Sequence, residues 1–150
     1  MRVDEIIVAD STYPPLEIIS SMNGTLKGTN MTSAALKDKF GSNVYFETTQ
    51  ILNFNSTNKF SAVTFKSLGT FVLGAPDILI KFKKTDKYGK IINLKATQGN
   101  RVLALCRTTS KIQNNTVQGP FELCALISIH DSAVRFTLPE RGSRAPATSP

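Results

Sequence analysis

The decapeptide Phe71-Val-Leu-Gly-Ala-Pro-Asp-Ile-Leu-Ile80 requires the backbone to change from strand to helix within a few residues. Phe71 and Val72 suit a pleated surface. Gly74 and Ala75 then remove side chains where the chain must turn. Pro76 fits a first helical position, because it lacks an N–H that would have no partner there. Asp77 follows in the first turn, where its charge meets the positive end of the helix dipole. Ile78, Leu79 and Phe82 supply the apolar face of the expected helix. A strand that ends in Gly-Ala leaves backbone N–H groups and open space at its tip, where a flat or anionic ligand can approach. An ordinary strand-to-helix connection uses the same residues, so the flanking sequence has to decide.

Upstream, residues 60–65 read as a strand with Phe60, Ala62 and Thr64 on one face. Lys66-Ser67-Leu68-Gly69 turns the chain into 70–73, which predicts an antiparallel hairpin. Residues 2–9 and 45–54 read as further strands, and 16–22 fits a short helix or an extended piece equally well. Asn30 or Thr32 can cap a helix that reaches Phe40, with Leu36 and Phe40 stacked four apart. Downstream, the lysine-rich stretch around Lys87-Tyr88-Gly89 reads as a turn. A short helix then ends at Gln98, with Gly99 as its left-handed cap. Residues 101–107 and 121–129 are apolar runs, read as buried strands joined by a polar loop over 108–119. Strands in long succession with helices between them argue an α+β fold with a mostly antiparallel sheet.

A chain of 150 residues with 41% hydrophobic side chains is one ordinary domain. No apolar run is long enough to span a bilayer. The first ten residues carry acids inside their apolar patch, unlike a signal peptide. Cys106 and Cys124 make neither a disulfide framework nor a zinc site, so a soluble chain in a reducing compartment is expected. The net charge of +7 invites a nucleic-acid reading, with Lys81, Lys83, Lys84, Lys87 and Lys90 the densest cluster. No nucleic-acid motif accompanies that charge, and lysines at a helix end are more simply a solvated surface.

Four segments carry a more specific signal: Phe54-Asn55-Ser56-Thr57-Asn58-Lys59 with Ser61-Ala62-Val63, then Gly74-Ala75-Pro76-Asp77, then Gly99-Asn100-Arg101-Val102-Leu103-Ala104-Leu105, and Asn30-Met31-Thr32 with Ala35-Leu36. By these segments, in their order and spacing along the chain, the chain resembles the nucleotide-binding domain of P-type cation-transporting ATPases over about residues 1–136. The strand at 123–129, running on to Asp131 and Arg135, is similar to the family's return strand. Residues 137–150 read as a flexible tail or a cloning remnant.

The resemblance implies a nucleotide site made of Phe54, Ser56, Lys59, Leu73, Gly74, Ala75, Arg101 and Asn30. Phe54 would stack on adenine, although a core phenylalanine fits the sequence as well. Lys59 would lie near the nucleotide, or else be a surface lysine. Gly74 and Ala75 would let the purine rest against bare backbone. Arg101 would reach the phosphates, for which its fork of donors is suited, or simply be an exposed strand-end arginine. Two residues depart from the family pattern: Leu73 replaces a lysine and Asn30 an acid, though the Asn30 carbonyl can still meet the adenine amino group.

The resemblance further implies ATP and ADP as ligands, with Mg²⁺ held mainly by a phosphorylation domain not in this chain. That domain and an actuator domain would be its partners in a parent pump, at the cytoplasmic face of a membrane. No nucleic acid, no direct membrane contact and a monomeric state are expected, and the domain alone is expected to be non-catalytic. The phosphorylation motif, the Mg²⁺-binding segment and membrane helices are absent from these 150 residues. Two other readings stay open: a stand-alone basic nucleic-acid-binding domain, and a degenerate interaction domain that has lost the nucleotide.

Overall fold

The computed structural model describes residues 1–28, 30–83 and 85–131. Six strands form one antiparallel sheet: β1 (Arg2–Val8), β2 (Thr48–Leu52), β3 (Phe60–Phe65), β4 (Gly69–Gly74), β5 (Asn100–Thr108) and, last in the chain, a strand at Glu122–His130. Two short strands precede that last one, β6 (Ile112–Gln113) and β7 (Thr116–Val117), which makes it β8. The sheet order is β1-β8-β5-β4-β3-β2, and every pair is antiparallel. The fold is therefore α+β, as the strand succession predicts.

The central strands are apolar on both faces because helices cover both. Helices α1 (Pro15–Thr25) and α2 (Met31–Phe40) place Ile18, Ile19, Met22 and Leu36 against one face, where Val63, Phe65, Phe71 and Leu105 are buried. On the other face, α3 (Pro76–Leu79) and α4 (Lys87–Thr97) bring Leu79, Ile91 and Ile92 to Phe60, Ala62, Val72, Ala104 and Leu126. The expected alternation at Phe60, Ala62 and Thr64 is present, but Val63 and Phe65 on the opposite side are buried as well. Phe71 is fully buried between Tyr13 and Phe65, with ring centroids at 5.6 and 5.8 Å. Removing such a ring costs about 3–5 kcal/mol.

The predicted hairpin is present, with Phe65 opposite Gly69 and Phe60 opposite Gly74. Its buried Thr64 and Thr70 satisfy one another, because they face each other and their hydroxyls lie 2.8 Å apart. Residues 16–22 are helical, within α1. Asn30 is the N-cap of α2, and Gly99 follows α4 with φ 78°.

Several boundaries differ from the sequence reading. The strand expected over 45–54 is only Thr48–Leu52, because α1 holds the preceding loop instead of the sheet. Ser20 Oγ donates to the Asn43 carbonyl, Tyr45 N–H donates to Ser21 Oγ, and Asn23 Nδ2 donates to the Gly41 carbonyl. That loop crosses α1 so closely that a Cβ on Gly24 would come 2.3 Å from the Ser42 carbonyl oxygen. Helix α3 lasts one turn. Leu79 is buried and Ile80 extended against the same apolar cluster, so Phe82 lies beyond the helix rather than on its face. Lys87, Tyr88 and Gly89 open α4 instead of forming a turn. The loop over 108–119 contains the β6–β7 hairpin, turned by Asn114 and Asn115 at φ 52° and 60°, the left-handed pair that a tight hairpin demands. Arg135, Lys84 and the tail expected over 137–150 lie outside the described residues. Among the described residues no helix is long and apolar enough to cross a membrane.

Candidate functional site

Strand β4 ends at Gly74, with β3 starting beside it and β5 on its other side. Gly74 pairs with Phe60 and with Ala104. The chain leaves the sheet through Ala75, whose extended backbone leads into Pro76. A cavity of about 570 Å³ opens at this exit, within the size range of small-molecule sites.

All eight residues singled out in the sequence border this one cavity. Leu73, Gly74 and Ala75 form its wall at the tip of β4. Leu73 is largely buried and belongs to the core cluster under α1 and α2. Phe54, Ser56 and Lys59 come from the β2–β3 connection. Phe54 is 61% exposed, so it is not a core phenylalanine. The connection is a built turn: Lys59 N–H donates to the Asn55 carbonyl and Asn58 N–H to Asn55 Oδ1, with Lys59 itself at φ 61°. Asn58 ties the turn to the β6–β7 hairpin, donating to the Asn115 carbonyl at 2.8 Å and accepting from the Thr116 hydroxyl at 3.0 Å. Phe54 and Lys59 thus project from an anchored turn.

Arg101 stands near the start of β5, exposed, with Nη2 3.7 Å from an Asp131 carboxylate oxygen. Asn30 borders the cavity from the N-terminus of α2. Its Oδ1 accepts the Ser33 N–H at 2.8 Å and lies 3.0 Å from the Ser33 hydroxyl. The carbonyl oxygen that the resemblance assigns to an adenine amino group therefore already serves the helix cap with one of its two lone pairs.

Gly74 also has a reason of its own. A Cβ there would come 2.6 Å from Phe60 Cβ and 2.8 Å from the Lys59 carbonyl oxygen. The missing side chain is what lets β3 and β4 close up beside the cavity.

Two cations that the sequence reading passed over complete the wall. Lys27 lies in the loop after α1, whose backbone N–H donates to Asn53 Oδ1 and so draws that loop against the residue before Phe54. Lys37 projects from α2 and reaches the Gly28 carbonyl at 3.3 Å. The helical spacing of Asn30, Ser33 and Lys37 places the three on one face, which was the available signal. Lys27, Lys37, Lys59 and Arg101 give the cavity four positive groups, and among the described residues no carboxylate lines it. Apolar surface from Leu26, Leu36 and Leu103 lies between them. A ligand suited to this lining has a flat apolar part and an anionic part.

No protein-family model matches the chain. The chain is similar to a probable cation-transporting ATPase, exp7, of Streptococcus pneumoniae serotype 4, at 26% identity over 129 residues. The match covers 84% of this chain and 16% of that relative. The similarity is distant, and it runs along most of the chain rather than being confined to one motif.

The described residues contain no group of three or more His, Cys, Asp or Glu side chains placed to hold a metal ion. The lining, with no carboxylate among its described residues, does not fit a Mg²⁺ site of its own. The exposed lysines at 81, 83, 87 and 90 take no part in the cavity lining.

Proposed function

We propose that this chain is the nucleotide-binding lobe of a P-type cation-transporting ATPase. In that reading it holds ATP and presents the terminal phosphate to an aspartate on a phosphorylation domain outside this sequence. The observation that carries the reading is the position of the exposed Phe54 ring on the same cavity as Lys59 and Arg101, at the bare-backbone exit of β4. An exposed aromatic face rewards a stacked base, and fixed cations reward phosphate oxygens. Similarity to a cation-transporting ATPase along most of the chain points the same way.

The chain's own residues bind and orient. Phe54 stacks the base, while Lys59 and Arg101 lead the phosphates outward, with Asp131 holding the guanidinium in place. Mg²⁺ and the residues of phosphoryl transfer belong to the neighbouring domain, so the isolated chain binds nucleotide without hydrolysing it. The parent would sit in a membrane with this lobe on its cytoplasmic side.

An amide-shift titration with ATP tests the reading. Signals of Phe54, Lys59, Gly74 and Arg101 should move together with one affinity. A titration in which none of them moves would favour the second reading, a domain that has kept the fold and lost the nucleotide. The apolar Leu73 and the engagement of the Asn30 carbonyl in the helix cap are the features on its side.

A further inference from the structure

We propose that Lys37, supported by Lys27, forms a second anion-binding wall of the cavity and holds phosphate oxygens of its ligand. The identity of that ligand as a nucleotide rests on the reading above; the subsite itself does not.

Lys37 lies in the last turn of α2, where a lysine commonly serves the carbonyl end of the helix. Its ammonium does not stay there. Helical side chains lean toward the N-terminus, and Lys37 Nζ reaches back past the helix start to the Gly28 carbonyl at 3.3 Å. That is the one hydrogen bond the ammonium makes among the described residues. An ammonium carries three donors, so two stay available to a ligand. Lys95 and Arg101 each have a carboxylate within ion-pair distance, but among the described residues neither Lys37 nor Lys27 does. Lys37 is half-buried, and such a cation costs free energy to desolvate unless an anion meets it. Leu26 and Leu36 flank it on the cavity wall, where low polarity strengthens an ion pair relative to open surface. Lys27 joins the same wall because its backbone N–H donates to Asn53 Oδ1 at 2.8 Å, leaving its exposed side chain to turn toward the ligand. Phosphate suits this pair, since its several oxygens accept from two ammonium groups at once.

Calorimetric titration with ATP, adenosine and inorganic pyrophosphate tests this, on parent, Lys37→Met, Lys37→Arg and Lys39→Met of parental melting temperature. Lys39 is an exposed lysine of the same helix that does not line the cavity, so its variant controls for net charge. Lys37→Met should weaken ATP at least about threefold, the scale of a partly exposed ion pair, and leave adenosine within about twofold. Lys37→Arg, which keeps the charge, should match the parent. Lys39→Met should shift ATP less than about twofold, because salt screens charges beyond roughly 8 Å at physiological ionic strength. Unchanged ATP affinity in Lys37→Met, an equal loss of ATP and adenosine, or the same loss in Lys37→Arg or Lys39→Met overturns the inference and leaves the nucleotide reading standing. Pyrophosphate that binds through Lys37 to a chain taking neither ATP nor adenosine keeps the subsite and overturns the nucleotide reading. Binding of none of the three to the folded parent overturns both.

Discussion

Gly74 faces Phe60 across the β3–β4 ladder so closely that a Cβ on Gly74 would lie 2.6 Å from Phe60 Cβ. The Lys59 carbonyl oxygen would lie 2.8 Å away. Neither atom is the end of a flexible side chain, so the strands themselves must separate if the site is filled. Gly74→Ala should therefore destabilise the domain by about 1–3 kcal/mol, the usual cost of overpacking. For a domain of this size that lowers the melting temperature by roughly 2–4 °C per kcal/mol. The loss should be present without any ligand. An unchanged melting temperature combined with weaker nucleotide binding would instead mean that Gly74 serves the ligand alone.

That glycine also shows how far the sequence could be read. Gly-Ala-Pro correctly announced the exit from strand to helix, because Gly, Pro and Asp act through local backbone chemistry. The same residues read as an opening for a purine; Gly74 does border the cavity, and it is also packed against its cross-strand neighbour, which the sequence does not announce. Cross-strand distance is a tertiary quantity and leaves no local mark. Likewise, alternation in 60–65 identified a strand, but burial on both its faces depends on α1, α2, α3 and α4 arriving from elsewhere. The strand over 45–54 is shorter than its pattern suggests because the loop is held by Ser20, Ser21 and Asn23, which lie 18 to 24 residues from their partners. Phe54 was ambiguous for the same reason: a phenylalanine looks alike in core and cavity until its exposure is known. Lys27 was overlooked because an Asn53 contact, not a sequence motif, brings its loop to the cavity.

Lys95 fastens α4 to β1. Its ammonium lies 3.0 Å from Asp4 and makes a short contact with Glu5. Hydrogen bonding to Glu5, then to Asp4, raises the Lys95 pKa above 10.5, and the Lys95 hydrogen bond lowers that of Asp4 below 3.8. The Asp4 contribution is present above its ordinary value and fades as pH falls through the lowered one. The Lys95 contribution is present below 10.5 and fades as pH rises through the raised one. Lys95→Met should cost about 0.2–1 kcal/mol at pH 7, the range of partly exposed pairs. In urea denaturation at low salt, the gap between parent and variant should persist from about pH 5 to 10 and shrink below about pH 3. A gap that is the same at acid and neutral pH would assign the effect to packing of the lysine stem.

Cys106 and Cys124 sit on neighbouring strands, but in clusters on opposite faces of the sheet. Burial pushes the Cys106 thiol up to about 12 and the Cys124 thiol up to about 11. The thiolate, which is the reactive form, is therefore scarce at neutral pH. Both thiols should resist alkylation at pH 8 until the sheet opens and then react in urea within the mixing time. Melting should not change with reductant, because facing away from each other leaves them unable to form a disulfide without rearranging the sheet. Rapid labelling of Cys106 in the native state would show that the α3–α4 layer opens readily.

Phe54→Ala gives the most direct test of the proposed function. The ring is exposed, so its removal should change stability by no more than about 0.5 kcal/mol. If it stacks the base, ATP, ADP and AMP should all weaken by a similar amount, about 1–3 kcal/mol. Arg101→Ala, used as the companion variant, should penalise ATP more than AMP because its partners are phosphate oxygens. Dissociation constants of the three nucleotides for parent and Phe54→Ala, measured side by side on folded protein, are the decisive quantities. A parallel loss across all three is the predicted result; equal affinities of parent and variant would contradict a base stacked on Phe54.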